Sequence, residues 1–139
     1  MSLQTRLRVK RVYDPPSESD GMRILVDRIW PRGLTKQRAA VDLWLKEIAP
    51  SAPLRTWFGH DPERWPEFRE RYFGELLSNP GPIAQLVDLA GAGQVTLLFG
   101  AHDTDHNNAI ALAEYLVSER GKATSGVGDP APTSPASNT

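Results

Sequence analysis

A short segment near the start of this sequence carries the side chains best suited to chemistry. Asp27, Arg28, Trp30 and Arg32 follow directly after the branched apolar run at residues 24–26. Guanidinium groups suit a phosphate or a carboxylate, and an indole offers a flat apolar face to a base or ring. A carboxylate beside them can orient an arginine or act as a general base. The segment therefore predicts a site for an anionic ligand.

The turn around Arg32 favours the same interpretation. Pro31 fixes its own φ, and Gly33 lets the chain turn away and lets a ligand approach closely. An alternative stays open, in which Asp27 forms a buried pair with one of the arginines and Trp30 packs under a helix.

A second group of chemistry-bearing side chains lies at residues 100–108. His102 is suited to acid or base catalysis near neutral pH, and Asp103 and Asn107 are candidate ligand contacts beside the amino end of a helix. The alternative is helix capping by Asp103 or Asp105. His102 and His106 are spaced for a metal, but a helix that begins between them need not place both rings on one face, so we assign no metal site.

Two further turns complete the list of candidates. Tyr13 and Asp14 follow the first apolar segment, and we include Tyr13 as a ligand contact and Asp14 as a second working carboxylate. His60 lies in a Gly-His-Asp turn that resembles a helix cap. It reaches the same site only if the neighbouring helices cover the strand ends.

Three apolar runs predict the strands that must position these side chains, at residues 7–13, 23–27 and 95–99. The second and third are apolar on both faces, which is typical of central parallel strands covered by helices. The first alternates with charged residues and is expected at an edge. We predict an α/β fold with a small, mostly parallel sheet of three to four strands and helices on both faces, with ligands bound at the carboxyl ends of the strands.

Helical spacing of apolar residues predicts the elements between and after these strands. A short helix is expected from a Thr35 cap to Ala40, and a second over residues 41–48, with Trp44 in its apolar stripe. Further helical segments are expected over residues 51–58, 62–76 and 83–90, and a last one from Asp103 or Asp105 to near Gly121. The same spacing predicts that Trp44 and Trp65 are core side chains.

Composition limits the class of protein. The 139 residues suffice for one domain, which we place at residues 5–120. Residues 121–139 are rich in Gly, Pro, Ser and Thr, and we predict a disordered tail. There is no cysteine, so disulfides and thiolate metal sites are excluded. No apolar run is long enough for a membrane span, and no signal peptide is visible. We therefore expect a cytoplasmic protein.

Charge is unevenly distributed, although the net charge is only −1. Residues 1–40 carry nine basic and four acidic side chains, whereas residues 41–120 carry six and twelve. A basic amino-terminal third is suited to an anionic ligand or to nucleic acid. An ordinary dipolar surface is the alternative.

The same residues carry a family resemblance over about residues 9–118. The matching strings are Val12-Tyr13-Asp14-Pro15, Asp20-Gly21-x-Arg23-Ile24-Leu25-Val26-Asp27-Arg28-Ile29-Trp30-Pro31-Arg32-Gly33, Pro50-Ser51-x-x-Leu54-Arg55 and Val95-Thr96-Leu97-Leu98. They resemble the domain of unknown function 488 family, YeaO-like branch, whose motif positions also include Trp44 and Asn107. The resemblance implies a small bacterial cytoplasmic α/β protein and implies no established activity.

Two functional hypotheses follow. In the first, Arg28, Arg32 and Trp30 bind an anionic, nucleotide-like or phosphorylated ligand, and hydrolysis by Asp27, Asp14 or His102 is an open extension. In the second, the basic third of the chain is a non-catalytic module for nucleic acid or a protein partner. We predict no cofactor, and the sequence leaves the oligomeric state open.

Overall fold

A parallel sheet organises the molecule. The computed structural model describes residues 7–117 and contains strands β1 (Leu7–Arg11), β2 (Met22–Leu25), β3 (Leu43–Trp44) and β4 (Val95–Phe99). All pairings are parallel, in the order β1-β4-β2-β3. The predicted α/β fold is confirmed, with β4 and β2 at the centre and β1 at an edge.

Side-chain caps set the starts of several of the helices. The helices are α1 (Lys36–Ala39), α2 (Ala52–Phe58), α3 (Trp65–Leu77), α4 (Pro80–Ala92) and α5 (Asn108–Tyr115). Thr35, Ser51 and Asn107 each accept a hydrogen bond from the first turn of α1, α2 and α5 respectively. Among residues 7–117, no helix is long and apolar enough to cross a bilayer.

The two faces of the sheet are covered unequally. Ile24, Val26, Leu97 and Phe99 point into a large core that helices α2 to α5 cover. On the opposite face, Leu25 and Leu98 join a small cluster with Val12 and Ala39, the last residue of α1. Helices therefore lie on both faces, but the second face is covered by one helical turn and loops.

The helix predicted over residues 41–48 is wrong. Leu43–Trp44 is instead the edge strand β3, paired with Ile24 and Leu25, and a 3-10 turn follows at Lys46–Ile48. Leu45 and Ile48 are buried in the large core, whereas Val41 and Trp44 pack against the cluster on the opposite face. A helix would have put these four side chains on one stripe. Because Leu43–Trp44 pairs with β2, Leu45 and Ile48 can be buried on one face of the sheet while Val41 and Trp44 pack on the other.

The predicted core tryptophans are only partly buried. Trp65 lies on α3, as expected, and packs against the large core. Trp44 packs edge-on against Trp30 at a ring-centroid distance of 5.4 Å. Its indole N–H donates to the Asp27 carbonyl, 2.7 Å away, so it anchors the chain where β2 ends.

Some predicted boundaries also change. Asn107, rather than Asp103 or Asp105, caps α5. Asp103 caps the turn before it, where its carboxylate accepts the N–H groups of Asp105 and His106. The predicted end of this helix near Gly121, the domain limits and the tail at residues 121–139 fall wholly or partly outside the described residues.

The amino end of β2 carries a buried charge network. Asp20 and Arg23 are 1% and 3% exposed. The Asp20 carboxylate accepts from Arg23 Nη1 at 2.7 Å and from Lys10 Nζ at 2.9 Å. Arg23 also donates to the carbonyls of Ala39 and Ala40, so the network joins β1, β2 and the end of α1.

Candidate functional site

A pocket of about 750 Å³ opens at the carboxyl ends of β2 and β4. The chain leaves β2 toward α1 on one face and leaves β4 toward α5 on the other, so a crevice forms between these two strands. The lining comes from the loop after β2, from helix α2 and its carboxyl-terminal turn, from Phe68 of α3, and from residues 100–108.

Asp27 lies where β2 ends and lines this pocket. Its Oδ2 accepts the Gly100 N–H at 2.9 Å, which ties the loop after β2 to the end of β4. Within residues 7–117, Asp27 forms no salt bridge. Burial raises its pKa above the ordinary value, although the Gly100 and Asn108 hydrogen bonds and the charges of Arg55 and His60 oppose the shift.

Arg28 follows and is held by main-chain carbonyls. Its guanidinium donates to Pro50 and Ala49 across long distances of 3.4 and 3.3 Å. A guanidinium has five N–H donors, so these two weak bonds orient the group without saturating it. Arg28 is thereby placed along one wall of the pocket.

Helix α3 fixes that wall from behind. The buried Tyr72 hydroxyl donates to the Ile48 carbonyl at 2.7 Å. Glu75 accepts the Ser51 N–H at 2.9 Å and the Ser51 hydroxyl at 2.6 Å. These bonds fix residues 48–51, which hold Arg28 and begin helix α2.

Helix α2 contributes a second arginine, and the turn after it contributes a histidine. Arg55 and His60 both line the pocket, and both are close enough to act electrostatically on Asp27. Gly59 and His60 have left-handed backbone conformations, with φ of 54° and 59°. A positive φ is uncommon for a residue other than glycine. Here it turns the chain so that His60 joins the pocket.

The loop after β4 supplies the opposite wall. His102, Asp103, His106 and Asn107 line the pocket. His106 Nδ1 lies 2.9 Å from Asp103 Oδ2, and its ring meets Trp65 edge-on at 5.3 Å. Hydrogen bonds from the Asp105 N–H and from His106 lower the pKa of Asp103.

The two asparagines of this loop are largely occupied by structural bonds. Asn107 is buried, accepts the Ile110 N–H and donates to the Asp103 carbonyl at 3.0 Å. Asn108 donates to the Val26 carbonyl at 2.9 Å, which joins α5 to the end of β2. Both line the pocket, and their main effect is to hold its two walls together. In the described part of the chain, no group of three or more acidic or histidine side chains is arranged to hold a metal ion.

Comparison with known proteins identifies the family. A family model described as "Inactive DUF488-N3 subclade" matches residues 6–137. The chain belongs to the DUF488 family. The uncharacterized protein YeaO of Escherichia coli (strain K12) is 46% identical over 110 residues, which is 79% of this chain and 96% of that protein. The uncharacterized protein Rv3073c of Mycobacterium tuberculosis is 42% identical over 116 residues, 84% of this chain and 98% of that protein. No solved structure matches the chain.

The pocket brings together about half of the predicted site residues of this DUF488 chain. Asp27, Arg28, His102, Asp103 and Asn107 line it. They come from two loops that are more than 70 residues apart in the sequence. The alternative, in which Asp27 pairs with Arg28 or Arg32, is absent from residues 7–117.

The other predicted residues lie outside the pocket lining. Trp30 belongs to the cluster on the second face, where its indole N–H donates to the Leu34 carbonyl at 2.7 Å. The Tyr13 hydroxyl donates to the Arg32 carbonyl at 2.9 Å. The Arg32 side chain, Gly33 and Asp14 are exposed. The loop at residues 27–33 therefore crosses the sheet edge, with its first three residues at the pocket and Trp30 on the other face.

The sequence interpretation missed part of the lining. Arg55, Thr56, His106 and Asn108 were not on the candidate list, and His60 was only a conditional candidate. Arg55 carried a usable signal, because it ends the Pro50-Ser51-x-x-Leu54-Arg55 string that contributes to the DUF488 resemblance.

Proposed function

We propose that this protein binds a small anionic ligand, nucleotide-like or phosphorylated, in the pocket at the ends of β2 and β4. One observation carries the proposal. Arg28 and Arg55 both line the pocket, and within residues 7–117 neither forms a salt bridge. Arginine side chains that line a cleft are suited to binding phosphate and carboxylate groups.

The rest of the lining suits a ligand that also has an apolar or ring-shaped part. Ile29, Pro50, Phe58 and Phe68 contribute apolar surface to the pocket. A volume of about 750 Å³ lies within the range of small-molecule sites. A mononucleotide combines a phosphate for the arginines with a ring for this surface, and it is therefore the probe we would choose first.

Binding is a better hypothesis than turnover. Burial raises the pKa of Asp27, which is the direction that favours a general acid or base and is the observation in favour of a hydrolase. The matching subclade is nevertheless described as inactive. Asp14, the other proposed working carboxylate, is exposed and outside the lining. We therefore propose a ligand-binding domain in which Asp27 shapes the site.

Calorimetric titration with adenosine 5′-monophosphate tests this proposal. We expect saturable binding with a stoichiometry near one that survives moderate salt. Arg55→Gln should weaken it about tenfold or more, since a charge-assisted hydrogen bond is worth roughly 1.5–3 kcal/mol. Arg38→Gln is the matched control, because Arg38 is exposed on α1 and outside the pocket. Equal affinity in wild type and Arg55→Gln would contradict the proposal.

A second candidate function rests on a different surface. Arg32, Lys36 and Arg38 are exposed along the loop and helix on the second face of the sheet. They form the part of the basic third that a nucleic acid could contact as a non-catalytic module. In that case Arg38→Gln would weaken binding of a single-stranded oligonucleotide and reduce its salt dependence, and Arg55→Gln would leave both unchanged.

A further inference from the structure

The distribution of histidine in this chain is distinctive. The sequence contains three histidines, His60, His102 and His106. All three line the same pocket. They reach it from different places, the turn after α2 and two positions in the loop between β4 and α5.

We infer that the pocket binds its anion together with protons, so that it favours dianions over monoanions and binds them more tightly as the pH falls from 8 to 6. This inference rests on the proposed function, because it requires an anion in the pocket. Beyond the proposed function, the inference specifies that the site selects anions by their charge and that pH controls its affinity for them. Histidine is the side chain whose charge ordinarily changes between pH 5 and 8.

The other charges that face the histidines nearly cancel. Arg28 and Arg55 supply two positive charges to the lining, and Asp27 and Asp103 supply two carboxylates. Helix α3 contributes only the uncharged Phe68. With both carboxylates ionised and the imidazoles neutral, the lining has no net charge. With three imidazolium groups its formal charge is +3, which favours a doubly charged anion.

Charged groups just outside the lining do not offset the increase in positive charge that protonation of the imidazoles produces. Asp61, next to His60, lies 3.7 Å from the Arg64 guanidinium. Asp105, next to His106, lies outside the pocket lining. The net charge of the pocket therefore depends on the three imidazoles and on Asp27.

The backbone and the packing place two of these imidazoles, His60 and His106, at the pocket. His60 is turned there by its left-handed conformation, at φ 59°. His106 is fixed between the Trp65 ring and the Asp103 carboxylate. Because Asp103 contacts His106 directly, a proton taken up by His106 converts a charge–dipole contact into an ion pair. An anion in the pocket then meets the remaining positive charge of Arg28, Arg55, His60 and His102.

Nuclear magnetic resonance titration with inorganic sulfate tests the inference, since sulfate keeps two charges throughout this range. Methanesulfonate, which keeps one charge, is the matched probe. Uptake of one proton per bound anion changes the dissociation constant about tenfold per pH unit. We expect the sulfate dissociation constant to fall at least about tenfold between pH 8 and pH 6, with a smaller fall for methanesulfonate. By reciprocity, sulfate should raise the measured pKa of at least two imidazoles.

Substitutions distinguish the contribution of the histidines to the pH dependence of sulfate binding from that of the overall charge of the protein. Replacing all three histidines by glutamine should flatten the pH dependence, whereas Lys36→Gln, on the exposed surface of α1, should leave it unchanged. A sulfate affinity that does not vary with pH, in a protein that binds adenosine 5′-monophosphate, overturns this inference and leaves the proposed function standing. Absence of binding for both sulfate and the nucleotide overturns both.

Discussion

Both ends of strand β2 carry an aspartate with an arginine nearby in the sequence, but in the part of the chain that the structure describes only the aspartate at the amino end contacts cations directly. At the amino end, Asp20 contacts the Arg23 guanidinium at 2.7 Å and the Lys10 ammonium at 2.9 Å. At the carboxyl end, Asp27 accepts a main-chain N–H from Gly100 and forms no salt bridge within residues 7–117. An arginine lies close in sequence to the aspartate at both ends, but only Asp20 and Arg23 form a salt bridge.

The pKa values of the two carboxyls differ accordingly. Burial by itself raises the pKa of Asp20, but hydrogen bonds from Lys10, Arg23 and the Ser17 N–H outweigh it and hold the pKa below the ordinary 3.8. Burial also raises the pKa of Asp27, and there the opposing contacts are too weak to reverse it. The difference is the number of cations in direct contact.

This contrast supports a structural role for the amino end of the strand and agrees with the ligand site proposed above at its carboxyl end. The Asp20 network joins three elements and leaves no charge for a ligand. Around Asp27, the arginines are oriented by carbonyls or left without a carboxylate partner, so an incoming anion can complete the site. The stretch at residues 20–33 that carries the family resemblance therefore begins with a buried charge network and continues with residues that line the pocket.

The largest expected effect belongs to Asp20→Ala. It leaves the buried Arg23 guanidinium without its carboxylate, so the free energy of unfolding should fall by roughly 3–5 kcal/mol. Denaturant melts at neutral pH measure it. Asp20 ends a 3-10 turn at Glu18–Asp20. Glu18→Ala in that turn is the control, since Glu18 is exposed and should change stability by no more than about 0.5 kcal/mol. A similar small loss for Asp20→Ala would show that the network is not stabilising.

Gly21→Ala tests the same end of the strand. Gly21 has φ of 63°, and a Cβ there would lie 2.1 Å from the Gln94 carbonyl oxygen. Overpacking and left-handed strain should together cost about 2–5 kcal/mol. At Gly33, φ is 82° but nothing lies within 4 Å of the added atom, so Gly33→Ala should cost only roughly 1–2 kcal/mol. Equal melting temperatures for the two variants would contradict the close approach.

Asp27→Asn should change the free energy of unfolding less than the substitutions at Asp20 and Gly21. Its effect should also depend on pH in the opposite direction to that of a substitution at Asp20. Since the folded pKa is raised above the unfolded 3.8, the stabilisation from Asp27 is present below about pH 3.8 and is lost as the pH rises through the folded pKa. The free energy of unfolding of the variant should be within about 1 kcal/mol of the wild-type value at neutral pH. Relative to wild type, the variant should become more stable as the pH rises from about 3.5.

Asp20 provides the internal comparison for that experiment. Its folded pKa is lowered, so its stabilisation is present above about pH 3.8 and is lost as the pH falls through the folded value. Asp20→Asn should therefore lose most relative to wild type at neutral pH and least in acid. Stability–pH profiles with the same sign for both variants would overturn the contrast.

The smallest effect is expected for Arg32→Ala. The side chain is exposed and forms no salt bridge in the described part of the chain, so stability should change by no more than about 0.5 kcal/mol. Because Arg32 lies outside the pocket lining, nucleotide affinity should also change little, in contrast to Arg55→Gln. A tenfold loss of nucleotide affinity would show that the loop at residues 27–33 moves to the ligand.

Much of the fold could be predicted from the sequence. Ile24, Leu25 and Val26, like residues 95–99, are apolar on both faces, which requires a strand covered on both sides. The α/β class and the central position of these strands followed from that. The helix predicted over residues 41–48 failed because Leu43 and Trp44 pair with β2, and local spacing cannot reveal a partner almost 20 residues away.

For the site, the sequence by itself determined that a carboxylate and arginines follow the end of β2 and that histidines follow β4. Residue type and position relative to a strand are local properties, so the pattern contains them. Only the tertiary structure decided that Asp27 and Arg28 face the pocket while Trp30 and Arg32 do not, and that Arg55 and His60 join them. That outcome depends on where the chain crosses the sheet edge and on how α3 fixes the start of α2, both of which are set by contacts between residues far apart in the chain.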